Sequence, residues 1–398
     1  MTKQKAFKRL ACMLASLFVA GATACDKEKE YELEIYLPET KMAIVHEKVS
    51  EYLQADFEES YELVSTNKNQ HAAAQYSYLS FGGKYCSEYK IRVSQDKKFK
   101  NYFDLFFAPQ TELTKYTVNL RILIPNTKYY VKVMALEDPS ICSKVESFVT
   151  EDCVVRPLDI TDTDNFNGPK NVRDVGGWST NDGKKIKYGM IYRGTYLNQR
   201  SGDNDPIKLR EYGRYIMKNC LGIKTEVDLR TSGKDDVDSN AVEKTPQTVN
   251  MISPKYPYYK LTLLQYDDLW IPVYQETCET SLKAFFALLA DETQYPMYVH
   301  CNQGADRTGT LFYLLEGLLG VSYEDAVRDF ELTSFSISGL RLRDEEQPVF
   351  GNHVRWGIMH KKIMTYGETY QSAVEAYLLS IGVSSEQIKK IKDILLTD

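Results

Sequence analysis

The chain has 398 residues, 43% of them hydrophobic and 26% charged, with a formal net charge of -6. Those proportions exclude a fibrous or disordered chain, and the length suits two domains plus a targeting segment. The acidic balance argues against a nucleic-acid partner and against attraction to anionic lipid through the bulk field.

The first residues are a different material. Lys3, Lys5, Lys8 and Arg9 precede an apolar stretch from Leu10 to Ala20, and small residues then lead to Cys25. That order is the layout of a secretory signal, too short to span a bilayer as a mature helix. Ala22-Thr23-Ala24-Cys25 resembles the lipobox of bacterial lipoproteins, with Ala22 where that motif usually carries leucine. The resemblance implies cleavage after residue 24, lipidation of Cys25, export to the cell envelope and attachment to a membrane through the lipid. Removing residues 1–24 moves the formal charge from -6 to -10. Residues 25–40, opening on Asp26-Lys27-Glu28-Lys29-Glu30, read as a solvated tether.

Residues 41–152 read as strands. Tyr89 to Val93, Tyr116 to Leu120 and Tyr129 to Ala135 alternate apolar with polar residues, the pattern of half-buried antiparallel strands and so of an all-β, immunoglobulin-like sandwich. The run from Leu123 to Val133 resembles the tyrosine-corner region of a fibronectin type III domain, which implies that Tyr129 bonds back to the preceding turn. Such a module is expected to act as a spacer or binding unit without chemistry.

From residue 153 to the end, short apolar strands alternate with longer helical stretches, which predicts an α/β domain with a central sheet flanked by helices. Strands are expected at Met190 to Tyr192, Lys224 to Leu229 and Pro296 to His300. Helices are expected at Thr280 to Leu289, Thr308 to Leu319, Tyr323 to Leu332, Tyr370 to Ile381 and from Ser385 onward. Cys86, Cys142, Cys153, Cys220, Cys278 and Cys301 show no C-x-x-C or H-E-x-x-H spacing, so neither a metal nor another cofactor is expected. A Cys86–Cys142 disulfide is left open by spacing alone.

The chemistry concentrates in His300-Cys301-Asn302-Gln303-Gly304-Ala305-Asp306-Arg307-Thr308-Gly309. Cys301 and Arg307 stand in C-x5-R spacing between a predicted strand and a predicted helix. The loop of Asn302, Gln303, Gly304, Ala305 and Asp306 can turn successive N–H groups inward onto a phosphate, and the following helix adds its positive end. Arg307 can bond two phosphate oxygens through its planar fork. The same field favours the thiolate, the nucleophilic form of Cys301. His300 and Thr308 are expected to support the loop rather than react.

The whole string resembles the cysteine-dependent protein tyrosine phosphatases, in particular the bacterial branch of tyrosine and dual-specificity enzymes. Asn171-Val172-Arg173-Asp174-Val175-Gly176-Gly177-Trp178 is similar to that branch's early Arg-Asp-Leu-Gly-Gly segment, and Gly222 to Arg230 to its Asp-Leu-Arg strand end. The resemblance covers about Asp164 to Leu396. It implies attack by Cys301 to give a phosphocysteine, protonation of the leaving oxygen by a carboxylic acid, and hydrolysis with the same carboxylate as base. In that branch the acid lies inside the loop, a position matched by Asp306, with Asp267 and Asp268 as rivals. Asp228 and Arg230 are candidate supporting residues at a strand end; Arg173 and Asp174 are not assigned chemistry.

Some relatives carry lysine before the loop aspartate and act on phosphoinositides. Ala305 stands there, which favours a phosphoprotein, phosphotyrosine above all, or a small phosphomonoester as partner. An inositide phosphatase and a catalytically silent phosphate-binding lipoprotein are the alternatives.

Overall fold

The computed structural model describes residues 31–66, 72–162, 166–198, 205–230, 247–343 and 355–398. The signal segment and Cys25 lie outside the described residues.

The N-terminal region contains strands β1 (Leu33–Tyr36), β2 (Tyr78–Gly83), β3 (Tyr89–Ser94), β4 (Phe103–Phe107), β5 (Lys115–Asn119), β6 (Lys128–Ala135) and β7 (Glu146–Val149). They form two antiparallel sheets, ordered β1-β2-β5 and β4-β3-β6-β7. Alternation puts Leu79 and Phe81 of one sheet and Tyr89, Ile91 and Val93 of the other into one buried core. The Phe81 and Tyr89 rings meet edge-on across it, with centroids 5.0 Å apart. The amide of Ile124 donates to the Tyr129 hydroxyl at 2.9 Å, five residues ahead along the chain.

Two features differ from the sequence expectation. Strand β1 lies inside the stretch expected to be a tether. Two helices, α1 (Glu47–Gln54) and α2 (Phe57–Ser65), interrupt what was expected to be all-β. Each is short, so its period is hard to see; α1 buries only Val49 and Tyr52, and α2 Ser60 and Val64. The Cys86–Cys142 pairing that spacing left open is not formed.

The second sheet has six strands: β8 (Arg156–Pro157), β9 (Arg173–Asp174), β10 (Ile191–Gly194), β11 (Thr225–Asp228), β12 (Tyr258–Lys260) and β13 (Met297–His300). Their order is β12-β11-β13-β10-β9-β8; the first four are parallel, and β9 runs antiparallel to both of its neighbours, β10 and β8. β13 lies between two parallel neighbours and is buried along its whole length, as a run of four consecutive residues without alternation requires.

The α-helices described in this half are α3 (Glu211–Tyr215), α4 (Pro272–Leu289), α5 (Asp306–Leu319), α6 (Tyr323–Glu331), α7 (Arg355–Ile363), α8 (Tyr370–Ser380) and α9 (Ser385–Leu395). α5 is buried from Arg307 to Leu319, the state of a helix apolar all round. α9 is capped by Ser384, one residue before the expected start, in a capping box with Gln387. The apolar cores continue across the expected domain boundary: Phe106 and Ile122 cluster with Leu158, Ile160, Val172 and Tyr212.

Candidate active site

β13 ends at His300, in register with Asp228 of β11 and Gly194 of β10. Cys301 therefore leaves the carboxyl end of the central strand, where open parallel sheets place their ligands. Its side chain is buried, and α5 begins five residues later at Asp306. The loop between them must reverse within a few residues. Gly304 makes this possible: its φ is +65°, and a Cβ there would lie 2.4 Å from the Gly194 carbonyl.

The carbonyls of this loop are all engaged on its outside. His300 Nδ1 lies 3.2 Å from Cys301 O, and the Tyr196 amide donates to Asn302 O. Gln303 O accepts from Asn171 Nδ2 at 3.2 Å and from Ser338 Oγ at 3.0 Å. Gly304 O accepts from Arg193 Nη2 at 3.0 Å and from Asn171. In a planar trans peptide the N–H points opposite to the C=O. Fixing the carbonyls of residues 301 to 304 outward therefore turns the amides of residues 302 to 305 toward the loop centre. These amides lead into the N-terminus of α5, whose first turn carries Asp306 and the buried Arg307.

A buried charge network holds those outer partners. Arg173 and Arg193 both pair with Asp329 of α6. Burial alone would push the Asp329 carboxyl up, but the two guanidiniums hold it below the usual range. Glu316 beside it is pushed well above its usual value by burial and by the Asp329 charge, which favours its neutral form. Burial and Arg173 pull Arg193 down to about 10, so it remains a cation at neutral pH.

His300 is buried and its Nε2 lies 3.0 Å from Glu226 Oε1. Asp228 and Arg230, read from sequence as supporting residues, form a buried bidentate pair at 2.8–2.9 Å that Lys260 and Tyr258 extend. Burial would raise the Asp228 carboxyl, but His300, Arg230 and Lys260 hold it well below the carboxylate range. Thr308 is buried at the start of α5, and its hydroxyl has no partner among the described residues.

The three candidate acids separate clearly. Asp306, at the first turn of α5, receives Arg341 Nε on Oδ1 at 2.7 Å and Nη2 on Oδ2 at 2.9 Å. Tyr266 also donates its hydroxyl to Oδ1 at 2.6 Å. Asp267 and Asp268 sit on the next residues, in a short 3-10 turn, and both are bound by Arg355 of α7. Tyr266 is held with φ at +54° by this site, its amide bonded to Thr310 Oγ1. The aromatic stretch before Trp270 thus reaches the loop through a phenol rather than through its carboxylates.

Sequence reasoning missed Arg341. It stands in Leu340-Arg341-Leu342-Arg343, where arginines alternate with leucines. The Arg341 side chain is buried, yet no spacing to Cys301 marks it. Cys220 points at Asp104 O of β4, and its thiol is pushed up to about 12 by burial.

The buried Cys301, the loop with its outer carbonyls bonded, the buried Arg307 and the Asp306 carboxylate thus stand together at the carboxyl end of the central strand. Residues 165–397 match the tyrosine phosphatase family, so the chain belongs to that family. It is 22% identical over 194 residues to a tyrosine-protein phosphatase of Nostoc commune. That match takes in 44% of this chain and spans 66% of the relative's length, just under two thirds. The core catalytic domain of a PP-IP phosphatase from S. cerevisiae, in complex with citrate, is 16% identical. There the match covers 38% of this chain and 76% of that one at a TM-score of 0.25, too low to carry an argument.

Proposed function

We propose that the chain is an exported, cysteine-dependent phosphatase that hydrolyses phosphomonoesters, phosphotyrosine foremost, through a phosphocysteine. The observation that carries this reading is the loop itself, whose carbonyls are all turned outward at the end of the central strand. A phosphate seated there accepts the inward amides and the Arg307 fork. Cys301 Sγ attacks phosphorus as the oxygen–phosphorus bond breaks, and Asp306 gives its proton to the departing oxygen. Water then attacks the phosphocysteine, Asp306 takes a proton back, and inorganic phosphate leaves. Arg341 and Tyr266 favour ionised Asp306, the base of the second step. The negative charge of a bound phosphate opposes them and favours the protonated form the first step needs.

The neutral neighbours Asn302, Gln303 and Ala305 support a single phosphate rather than an inositide with several. The sheet orders of the N-terminal region and the bond from Ile124 to Tyr129 support a fibronectin type III-like module carrying inserted helices. The lipobox-like segment supports an anchor on Cys25, which a Cys25→Ala variant tests by release from the membrane fraction.

The deciding measurement is turnover of p-nitrophenyl phosphate and a phosphotyrosine peptide, with reductant and without metal. Cys301→Ser should lower kcat on both substrates by on the order of 10⁴-fold or more, and Asp306→Asn should lower kcat/KM on the peptide, whose departing tyrosine needs a proton, by about 10²- to 10⁴-fold. Inert wild type that still binds vanadate would instead make the chain a silent phosphate binder.

A further inference from the structure

The helices inserted after β1 reach across to the phosphate loop through one segment of chain. That segment, residues 332–343, follows α6 and is anchored on its outer side by the N-terminal region. Tyr52 of α1 is buried and donates its hydroxyl to Glu331 Oε2 at 2.8 Å. Glu331 in turn accepts the amide and the guanidinium of Arg343. Arg343 continues to α2, donating to Phe57 O at 2.6 Å and Ser60 Oγ at 2.7 Å, with its guanidinium 3.8 Å over the Phe57 ring. Midway, the amide of Ala73 donates to Phe335 O at 2.9 Å, and the Tyr52 and Phe335 rings lie 5.4 Å apart. Arg328 of α6 caps the last carbonyls of α1, taking Tyr52 O, Leu53 O and Ala55 O.

The inner side of the same segment touches the loop. Arg341 holds both oxygens of Asp306 and also Gln303 Oε1 at 2.7 Å. Ser338 holds Gln303 O, and Thr333 Oγ1 accepts from the Asn171 amide that binds Gln303 O and Gly304 O. Only Leu342 separates Arg341 from Arg343, so a shift of the outer anchor moves the inner one.

We propose that α1 and α2 are a positioning part of the active site: through Glu331 and Arg343 they fix the segment whose Arg341 aims the Asp306 carboxylate. This rests on the phosphatase reading above. Tyr52, Glu331, Arg343 and Arg341 are positioning residues, since each acts through Asp306. The N-terminal region is then no spacer, and its role should appear only in the steps that move a proton.

The test uses the full chain and two substrates that differ in their need for an acid. p-Nitrophenolate leaves readily without a proton, whereas the phenolate of phenyl phosphate does not. Arg343→Ala, and separately the milder Tyr52→Phe/Ser60→Ala pair, should lower kcat/KM on phenyl phosphate by about 10-fold or more, the scale of a small misplacement. For p-nitrophenyl phosphate, kcat/KM, which reports attack by Cys301 and not the later hydrolysis that uses Asp306 as base, and vanadate inhibition should stay within about twofold of wild type. In an Asp306→Asn background Arg343→Ala should leave the ratio of the two rates unchanged. Equal losses on both substrates, no loss on either, or a further change in the ratio without Asp306 would overturn the inference. If Arg343→Ala does not fold, the milder pair decides by the same criteria. Wild type inert on both substrates would overturn the phosphatase reading, and this inference with it.

Discussion

The carboxyl ends of the parallel strands and the facing sheets of the N-terminal region are both buried, but they are built from opposite materials. Between the N-terminal sheets lie Leu79, Phe81, Tyr89, Ile91, Val93, Tyr116, Val131 and Val133. Behind the phosphate loop lie Glu226, Asp228, Arg230, His300, Arg193, Arg173, Asp329 and Arg341. Apolar packing is non-directional and tolerates rearrangement. Buried charge is costly unless every group is paired in good geometry. The difference locates where this protein holds atoms in place for chemistry and where it simply excludes water.

The widest separation should come from Phe81→Ala. Its ring is fully buried and meets Tyr89, Phe107 and Tyr116, so truncation should destabilise the fold by about 3–5 kcal/mol. Denaturant unfolding measures that loss, and KM and kcat of the protein that remains folded should match wild type. A large kinetic change would break the division between the two regions.

Arg193→Lys probes the opposite material. Lysine keeps the charge but cannot fork between Asp329 and Gly304 O. We expect kcat to fall by roughly 10²-fold, the scale of a 1 Å misplacement at a reacting centre, while far-ultraviolet circular dichroism is unchanged. Retained activity would mean that the Gly304 carbonyl is fixed without it.

A third experiment reads the charged region through pH. The folded Asp228 carboxyl lies below its unfolded value of about 3.9. Its ionised form therefore contributes stability that is complete above about pH 4 and is lost as pH falls toward the folded value. Tm followed from pH 6 down to 3 should drop for wild type, and Asp228→Asn should start lower and show a shallower acid limb. Parallel curves would assign the acid sensitivity to other carboxyls.

The smallest effect concerns thiols. Burial raises the thiols of Cys86, Cys153, Cys220 and Cys278, to about 12 for Cys153 and Cys220. Higher values mean less thiolate near pH 7. Brief treatment of the native protein with iodoacetate should therefore alkylate Cys301 ahead of these four, as read by peptide mass mapping. Phosphate should protect it.

Much of this architecture was legible in the chain. Strands β3, β6, β11 and β13 and helices α5, α6 and α8 fall within a few residues of their expected positions, because alternation and helical period record which face is buried. The string from His300 to Gly309 placed Cys301, Asp306 and Arg307 on one turn because its parts are adjacent in sequence. Short elements fared worse. α1, α2, α3 and α7 have too few turns for a period to show, and β1 hid in what read as a tether.

The sequence by itself determined the loop, the strand before it and the helix after it, since these depend on local geometry: a glycine that can take φ of +65° and a helix that starts at Asp306. Only the tertiary structure decided which partners turn the loop's carbonyls outward and which groups hold the candidate acid. Asn171, Arg193, Ser338 and Arg341 come from separate parts of the chain, and a hydrogen bond between residues 35 or 132 positions apart leaves no periodic trace. The same holds for the bond from Tyr52 to Glu331, 279 positions away. Local propensity sets conformation over a few residues, whereas burial of charge is resolved only when the whole chain has closed around it.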